Sequence, residues 1–438
     1  MLNYAVFQSG MDFPRRPRSH RAGRFAPFRH GRFGLFFAAY SISLFGTSMA
    51  AVALSFGVLE NNGSAADLGY VNAARIVPMV LFLLGGGVVG DWLPRRWVML
   101  TADCVRTVSQ GGIAVLFAVG HAPLWALLLL AATGGLSEAF FNPALSGMIP
   151  ALAPKDQLQE ANGLLSLSRS ATNVVGPALA GVLVAVAGAQ TVLAIDAASY
   201  AISVVGLLLL RLPTPAVRQR LSMITQLREG WTIFRSHTWL WAVTVQFSLF
   251  NLIVWAPYLI LGPVSAYRSY GGASAWGAIM AGYGAGSIIG GLALLGRRPA
   301  RPLVVAIAAT FLWAAPSACL LLAAPVAVVV VGAVCAGTAS AVFNTLWSTT
   351  MQQQVPAEAL SRISSYVSLG AYAAGPLGFA IAGPLAQAVG NAPVLAVGVG
   401  WQLVASAVVL ALPAIRAVRQ PAKLGEPISR PRPHSRSG

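Results

Sequence analysis

Twelve long apolar runs divide the chain, separated by short polar or glycine- and proline-bearing breaks. They span 34–59, 69–90, 97–119, 123–146, 163–187, 191–211, 239–263, 272–296, 302–323, 325–346, 363–387 and 391–415. Each has the length, ~20 residues, that an α-helix needs to cross a ~30 Å hydrocarbon core. Helices are the open solution for such runs, because every unpaired backbone group in lipid costs several kcal/mol. The pattern predicts an all-α integral membrane protein of twelve transmembrane helices. The longest interior polar stretch, 212–238, carries Arg218, Arg220, Arg228, Glu229 and Arg235 and leaves six runs on either side. The expected organisation is a basic tail (1–33), a six-helix bundle (34–211), a linker (212–238) whose centre suits a short surface helix, a second six-helix bundle (239–415) and a disordered basic tail (416–438).

The halves match each other directly. Asn142, Pro154, Gly181, Gly188 and Leu193 have counterparts at Asn344, Pro356, Gly383, Gly390 and Leu395, at a constant offset of 202. This predicts two pseudo-symmetric bundles related by an axis along the membrane normal, with alternating access as rocking of one bundle against the other.

Composition agrees: 56% of residues are hydrophobic and 9% charged, against roughly 25% charged in a soluble domain. The net charge of +17 invites a nucleic-acid reading. Its distribution argues for loops instead, with seven arginines from Arg15 to Arg32 and six basic residues from Arg416 to Arg436. With the N-terminus inside, every Lys and Arg except Arg75, Arg106, Arg169 and Arg268 falls in an inner loop or tail, the pattern of the positive-inside rule. The expected location is a bacterial inner membrane, with both termini cytoplasmic. The first run is too long for a cleavable signal, and Met11 offers an alternative start. Cys104, Cys319 and Cys335 read as small buried hydrophobes, and no metal or cofactor is expected.

Two motifs carry mechanism. Between the second and third runs, Gly87, Asp91, Arg95 and Arg96 resemble the signature loop of the major facilitator superfamily, with Trp92 and Pro94 in place of its usual basic residue and glycine. An acid at a helix C-terminus needs a cation or a facing helix N-terminus, so Asp91 is expected to act as a latch that breaks as the bundles rock. The equivalent loop of the second half, Gly290 to Arg301, has no acid. In the fifth run, Gly163, Gly176, Pro177 and Gly181 resemble the helix 5 motif of drug and proton antiporters, with Thr172 and Ala180 replacing two glycines. Glu138, Asn142–Pro143, Ile149–Pro150, Gln159–Asn162 and Gly176–Pro177 resemble the branch containing enterobactin exporters and macrolide efflux proteins. That resemblance implies export of a siderophore, macrolide or other amphipathic molecule, with small-molecule substrate, protons and lipid bilayer as partners and a monomeric state.

Charges inside a bilayer need a partner or a purpose. Asp103 and Arg106 are one turn apart and are expected to pair, with Glu138 facing Arg106 or Arg169. The cluster reads either as a structural network or as a proton-coupling site with Glu138 as carrier. Arg75 and Asp196 are expected to pair near the outer face. The second half supplies neutral substrate-cavity candidates: Asn251, Trp255, Tyr258, Asn344, Trp347, Tyr366 and Tyr372. The alternatives are a proton-coupled importer and, in other classes, a membrane enzyme or channel. No convergent Ser/His/Asp set, metal cluster or P-loop supports an enzyme or an ATP-driven pump.

Overall fold

The computed structural model describes residues 26–29, 31–92, 94–154, 157–210, 231–232, 234–355, 363–364, 366–371 and 374–419, with the backbone alone at 26, 83–92, 146, 147, 150 and 159. The basic tails and the linker centre lie outside the described residues. The first six helices are α1 (Gly31–Glu60), α2 (Ala65–Trp92), α3 (Arg95–Val119), α4 (Leu124–Leu152), α5 (Leu158–Ala187) and α6 (Ala189–Leu209). The second six are α7 (Thr238–Ser269), α8 (Ala273–Ala293), α9 (Pro302–Leu321), α10 (Val326–Gln354), α11 (Gly375–Val389, preceded by helical residues at 366–371) and α12 (Asn391–Ala411). Eleven are long and apolar enough to cross a membrane. The remaining one, α8, is 21 residues long and glycine-rich.

Local chemistry sets the element ends. Ser64 and Asp67 form a reciprocal cap: Ser64 N–H donates to Asp67 Oδ2 at 2.8 Å, and Asp67 N–H to Ser64 Oγ at 3.2 Å. This cap starts α2 a full turn before its apolar run. At the other end of the molecule α4 and α10 continue about two turns past their apolar runs. Single glycines join α5 to α6 and α11 to α12, Gly188 at φ 80°, ψ 160° and Gly390 at φ 90°, ψ 162°. Only glycine adopts this backbone readily, so the internal repeat extends to matching reversals 202 residues apart.

Helices α7 and α9 are each interrupted by a short non-α turn. A π turn covers Asn251–Trp255 and a 3-10 turn covers Thr310–Ala314. Pro257 and Pro316 follow these turns, where a missing N–H breaks the regular ladder. The two breaks meet, with the Phe250 and Trp313 rings 4.3 Å apart.

The buried apolar residues form three clusters. One spans both bundles at the end opposite the termini and includes Met49, Phe56, Leu68, Phe117, Tyr258, Leu261, Trp276 and Phe379. The other two, at the end carrying the termini, are separate. Phe33, Met99, Met148 and Leu207 belong to the first bundle, and Leu240, Phe343, Trp347 and Ile363 to the second. The bundles thus share a core at the far end and part at the basic end.

Two backbone seams hold the far end. A Cβ on Gly181 of α5 would strike Ala273 and Gly277 of α8, and a Cβ on Gly383 of α11 would strike Ala65 and Ala66 of α2. Helices gain little from burying apolar surface away from lipid, so close backbone approach supplies the association. Gly181→Val should destabilise the far-closed state by about 1–3 kcal/mol through overpacking. A cysteine at Phe56, which is fully buried, should then label with an impermeant maleimide about tenfold faster or more from the far side. Unchanged labelling would remove the seam from the account.

Candidate functional site

The site begins with a glycine. A Cβ on Gly135 of α4 would strike the carbonyl of Arg75 on α2, so the two backbones touch there. Glu138 lies one turn further along the same face of α4, and its Oε2 accepts from Arg75 Nη2 at 3.1 Å. Glu138 shares a cavity with Arg106, as one expectation had it, but its direct partner is Arg75 and not Arg169, and Arg75 pairs with Glu138 rather than with Asp196. The Ser64–Asp67 cap sets Arg75 close to the middle of α2 rather than near its outer end, level with the middle of α4.

Arg106 and Asp103 do pair, at 3.4 Å. Asp103 also accepts from Ser203 Oγ at 2.6 Å, while the Arg106 guanidinium lies 4.3 Å from the centre of the Phe141 ring and 5.5 Å from that of Tyr200. Asp196 takes its hydrogen bond from Gln110 Nε2 at 2.6 Å, and Tyr200 Oη meets Thr47 Oγ1 at 2.7 Å. Arg75, Arg106, Gln110, Glu138, Tyr200 and Thr47 line one cavity of ≈ 40 Å³, room for a water or two. Arg169 stands apart, donating from Nε to Tyr40 Oη at 3.0 Å.

The second bundle repeats this crossing without charge. A Cβ on Gly337 would strike the carbonyl of Tyr283, and one turn on Ser340 Oγ accepts from Tyr283 Oη at 2.9 Å. Gly337 and Ser340 stand 202 residues after Gly135 and Glu138. A neutral hydroxyl pair therefore occupies the place of the ion pair.

Other expected residues scatter. Gly87 lies in α2 and Asp91 in its last turn, with their side chains outside the described residues. Arg96 caps α6, donating to the carbonyls of Leu207 and Leu208 at 2.7 Å each, while Arg95 begins α3 half-buried. In α5, Gly176 packs on Ser48 of α1, the Pro177 carbonyl and Gly181 meet Gly277 of α8, and Gly163 faces open space. The seven cavity candidates take different places among the described residues. Trp347 is buried in the second-bundle core, stacked on Phe343. Tyr366 packs on Trp231 and Phe234, and Asn251 donates to the carbonyls of Phe247 and Ala371. Asn344 is exposed on α10, and Tyr372 lies outside the described residues. Only Trp255 and Tyr258 share a small chamber, with Tyr283 and Trp313.

Two six-helix bundles, joined at one end and parted at the other with a polar centre, define a carrier of the major facilitator fold. Residues 22–426 match the family described as transmembrane secretion effectors, and the chain belongs to that family of the superfamily. It is 26% identical over 267 residues to macrolide efflux protein A of Streptococcus pyogenes, a match covering 60% of this chain and 66% of that protein. It is 25% identical over 356 residues to the multidrug efflux pump Tap of Mycolicibacterium fortuitum, covering 79% and 87%. Among solved structures it superposes on the nucleoside transporter NupG with a TM-score of 0.67 at 18% identity, covering 87% of this chain and 98% of that one. A bacterial homologue of the iron transporter ferroportin in an inward-facing state gives 0.68 at 15% identity, covering 87% and 98%. At these identities the superpositions establish the fold. The chain is a membrane transporter of small molecules, not an enzyme.

The reading from sequence missed Arg75 as the partner of Glu138, together with Tyr200, Gln110, Tyr283 and Trp313. The Ser-Ala-Ala-Asp cap would have placed Arg75, and the 202 offset applied to Glu138 leads straight to Ser340. The ion pair predicts a thermodynamic cycle. Arg75→Met should lower the thermal midpoint in detergent by leaving the half-buried Glu138 acceptor unpaired, a loss of about 1 kcal/mol. Adding Glu138→Gln should recover more than half of it, whereas additive losses would show that the two side chains are not coupled.

Proposed function

We propose that this chain exports a small amphipathic molecule across a bacterial inner membrane by alternating access, in exchange for protons carried at Glu138, with both termini cytoplasmic. The observation that carries this reading is the Arg75–Glu138 pair at the centre of α2 and α4, beside a cavity with room for water and a second arginine. A carboxylate holds its proton weakly beside a cation and more strongly when the cation withdraws. Protonation removes the charge from one half of the bond that ties α2 to α4. Helix α2 also carries the seam to α11 at its far end and the signature loop at its basic end, so a change in this tie acts where the bundles meet and where they part. Asp103 is a poorer carrier, since Arg106 is its neighbour on the same helix in every state. The parting of the cores at the basic end suits loading from the cytoplasm, and both efflux relatives favour export of a bulky apolar cargo.

The test uses purified chain in proteoliposomes with an imposed pH gradient and a radiolabelled macrolide. Glu138→Gln, a mimic of the protonated acid, should abolish uphill movement while binding persists. A variant that still pumps uphill with unchanged pH dependence would return Glu138 to a structural role. Movement of label only into the compartment equivalent to the cytoplasm would reverse the direction.

A further inference from the structure

The cavity beside Glu138 has a counterpart in the second bundle that the charge-centred reading leaves unused. Its walls come from α7, α8, α9 and α10, the repeats of α1, α2, α3 and α4, and include Phe250, Trp255, Tyr258, Tyr283, Trp313 and Ser340. Ser340 stands where Glu138 stands, and Tyr283 where Arg75 does. No lining residue is charged, and the space within is ≈ 10 Å³, enough for one oxygen-sized group.

Two of its polar atoms have no protein partner: the hydroxyl of Tyr258, 1% exposed, and the indole Nε1 of Trp313, 4% exposed. Indole N–H is a donor only. Tyr283 spends its own proton on Ser340, so two residues of the chamber wall carry donors with no acceptor in the protein. Buried donors are otherwise paired almost without exception. Trp255 stands at the rim, half-buried, its ring 5.8 Å from Tyr258 and 5.3 Å from Tyr283. It packs against both the shared far-end core and the second-bundle core, at the level where the bundles part. The π turn of α7 ends on Trp255, and such turns concentrate at functional sites.

We infer that this chamber is a substrate subsite that takes an uncharged acceptor oxygen, a ketone, lactone or ether on an apolar ring-bearing molecule, with Tyr258 and Trp313 as donors and Trp255 as the stacking surface at its mouth. The inference rests on the export reading and names the substrate chemistry of that site. In the present state the chamber admits the oxygen-bearing edge, and the body of the molecule lies outside it, against Trp255. The division of labour follows the repeat: the charged cavity of the first bundle handles the proton, and the neutral one of the second handles cargo.

The test compares two probes on the full chain in lipid nanodiscs: a radiolabelled macrolide, rich in acceptor oxygens, and tetraphenylphosphonium, a lipophilic aromatic cation with none. Tyr258→Phe/Trp313→Phe keeps an aromatic ring at each position, smaller at 313, and removes both donors. Macrolide affinity should fall about tenfold or more while tetraphenylphosphonium binding stays unchanged. With 15N-labelled tryptophan, the wild-type indole signal that Trp313→Phe deletes should move on adding macrolide and not on adding the phosphonium. Equal loss of both probes, no loss of either, or a fixed Trp313 signal while macrolide binds would leave the donors holding a structural water and overturn the subsite. Absence of any macrolide binding by the wild-type chain would overturn both the subsite and the substrate class of the export reading. Loss of proton coupling alone would leave the subsite standing.

Discussion

The bundles approach most closely through backbone, with large side chains such as Phe56 and Tyr267 packed between them at the far end. At Gly181 and Gly383, equivalent positions of the two repeats, the facing helix comes so near that a methyl group would collide with it. Lipid tails are as apolar as leucine, so apolar burial alone gives two bundles little reason to stay together. Two seams carry this approach, α5 on α8 from Gly181 to Val174 and α11 on α2 from Gly383 to Phe379. The shared core at the far end and the separate cores at the basic end follow from where those seams lie along the helices.

Within that frame the repeats diverge in chemistry and agree in geometry. Gly135 and Gly337 bring the same pair of helices to the same approach, and one turn later the first bundle places a carboxylate where the second places a hydroxyl. The side chains reaching across are an arginine in one case and a tyrosine in the other. An ionisable centre and a neutral, aromatic, donor-bearing centre thus occupy pseudo-equivalent positions. On the function proposed above, that asymmetry divides the work, with the first bundle responding to protons and the second to an uncharged ligand.

Much of this was legible in the sequence, and the parts that were not have physical reasons. Apolar length located the helices, eleven of them long and apolar enough to span a membrane, and the 202 offset located the matching turns at Gly188 and Gly390. Depth was harder to read. The polar Asp67 made the first turn of α2 look like loop, although its exchange of hydrogen bonds with Ser64 is what begins the helix, and so Arg75 was placed too near the surface. Aromatic residues were harder still, because Trp347, Tyr258 and Tyr366 look alike along a helix and differ only in what packs beside them. Arg96 belonged to a motif read as a latch, and its guanidinium proves to close the carbonyl end of α6.

The central claim is that the bundles rock about the far-end seams, and distances between spin labels test it most directly. Labels at Ala151 and Gln353, both exposed near the basic ends of α4 and α10, report one side, and labels at Glu60 and Arg268 report the other. Without substrate, the basic-end pair should be far apart and the far-end pair close. Adding macrolide under a pH gradient should shorten the first distance and lengthen the second together. Distances that stay fixed, or that change in the same direction, would contradict a rocking carrier.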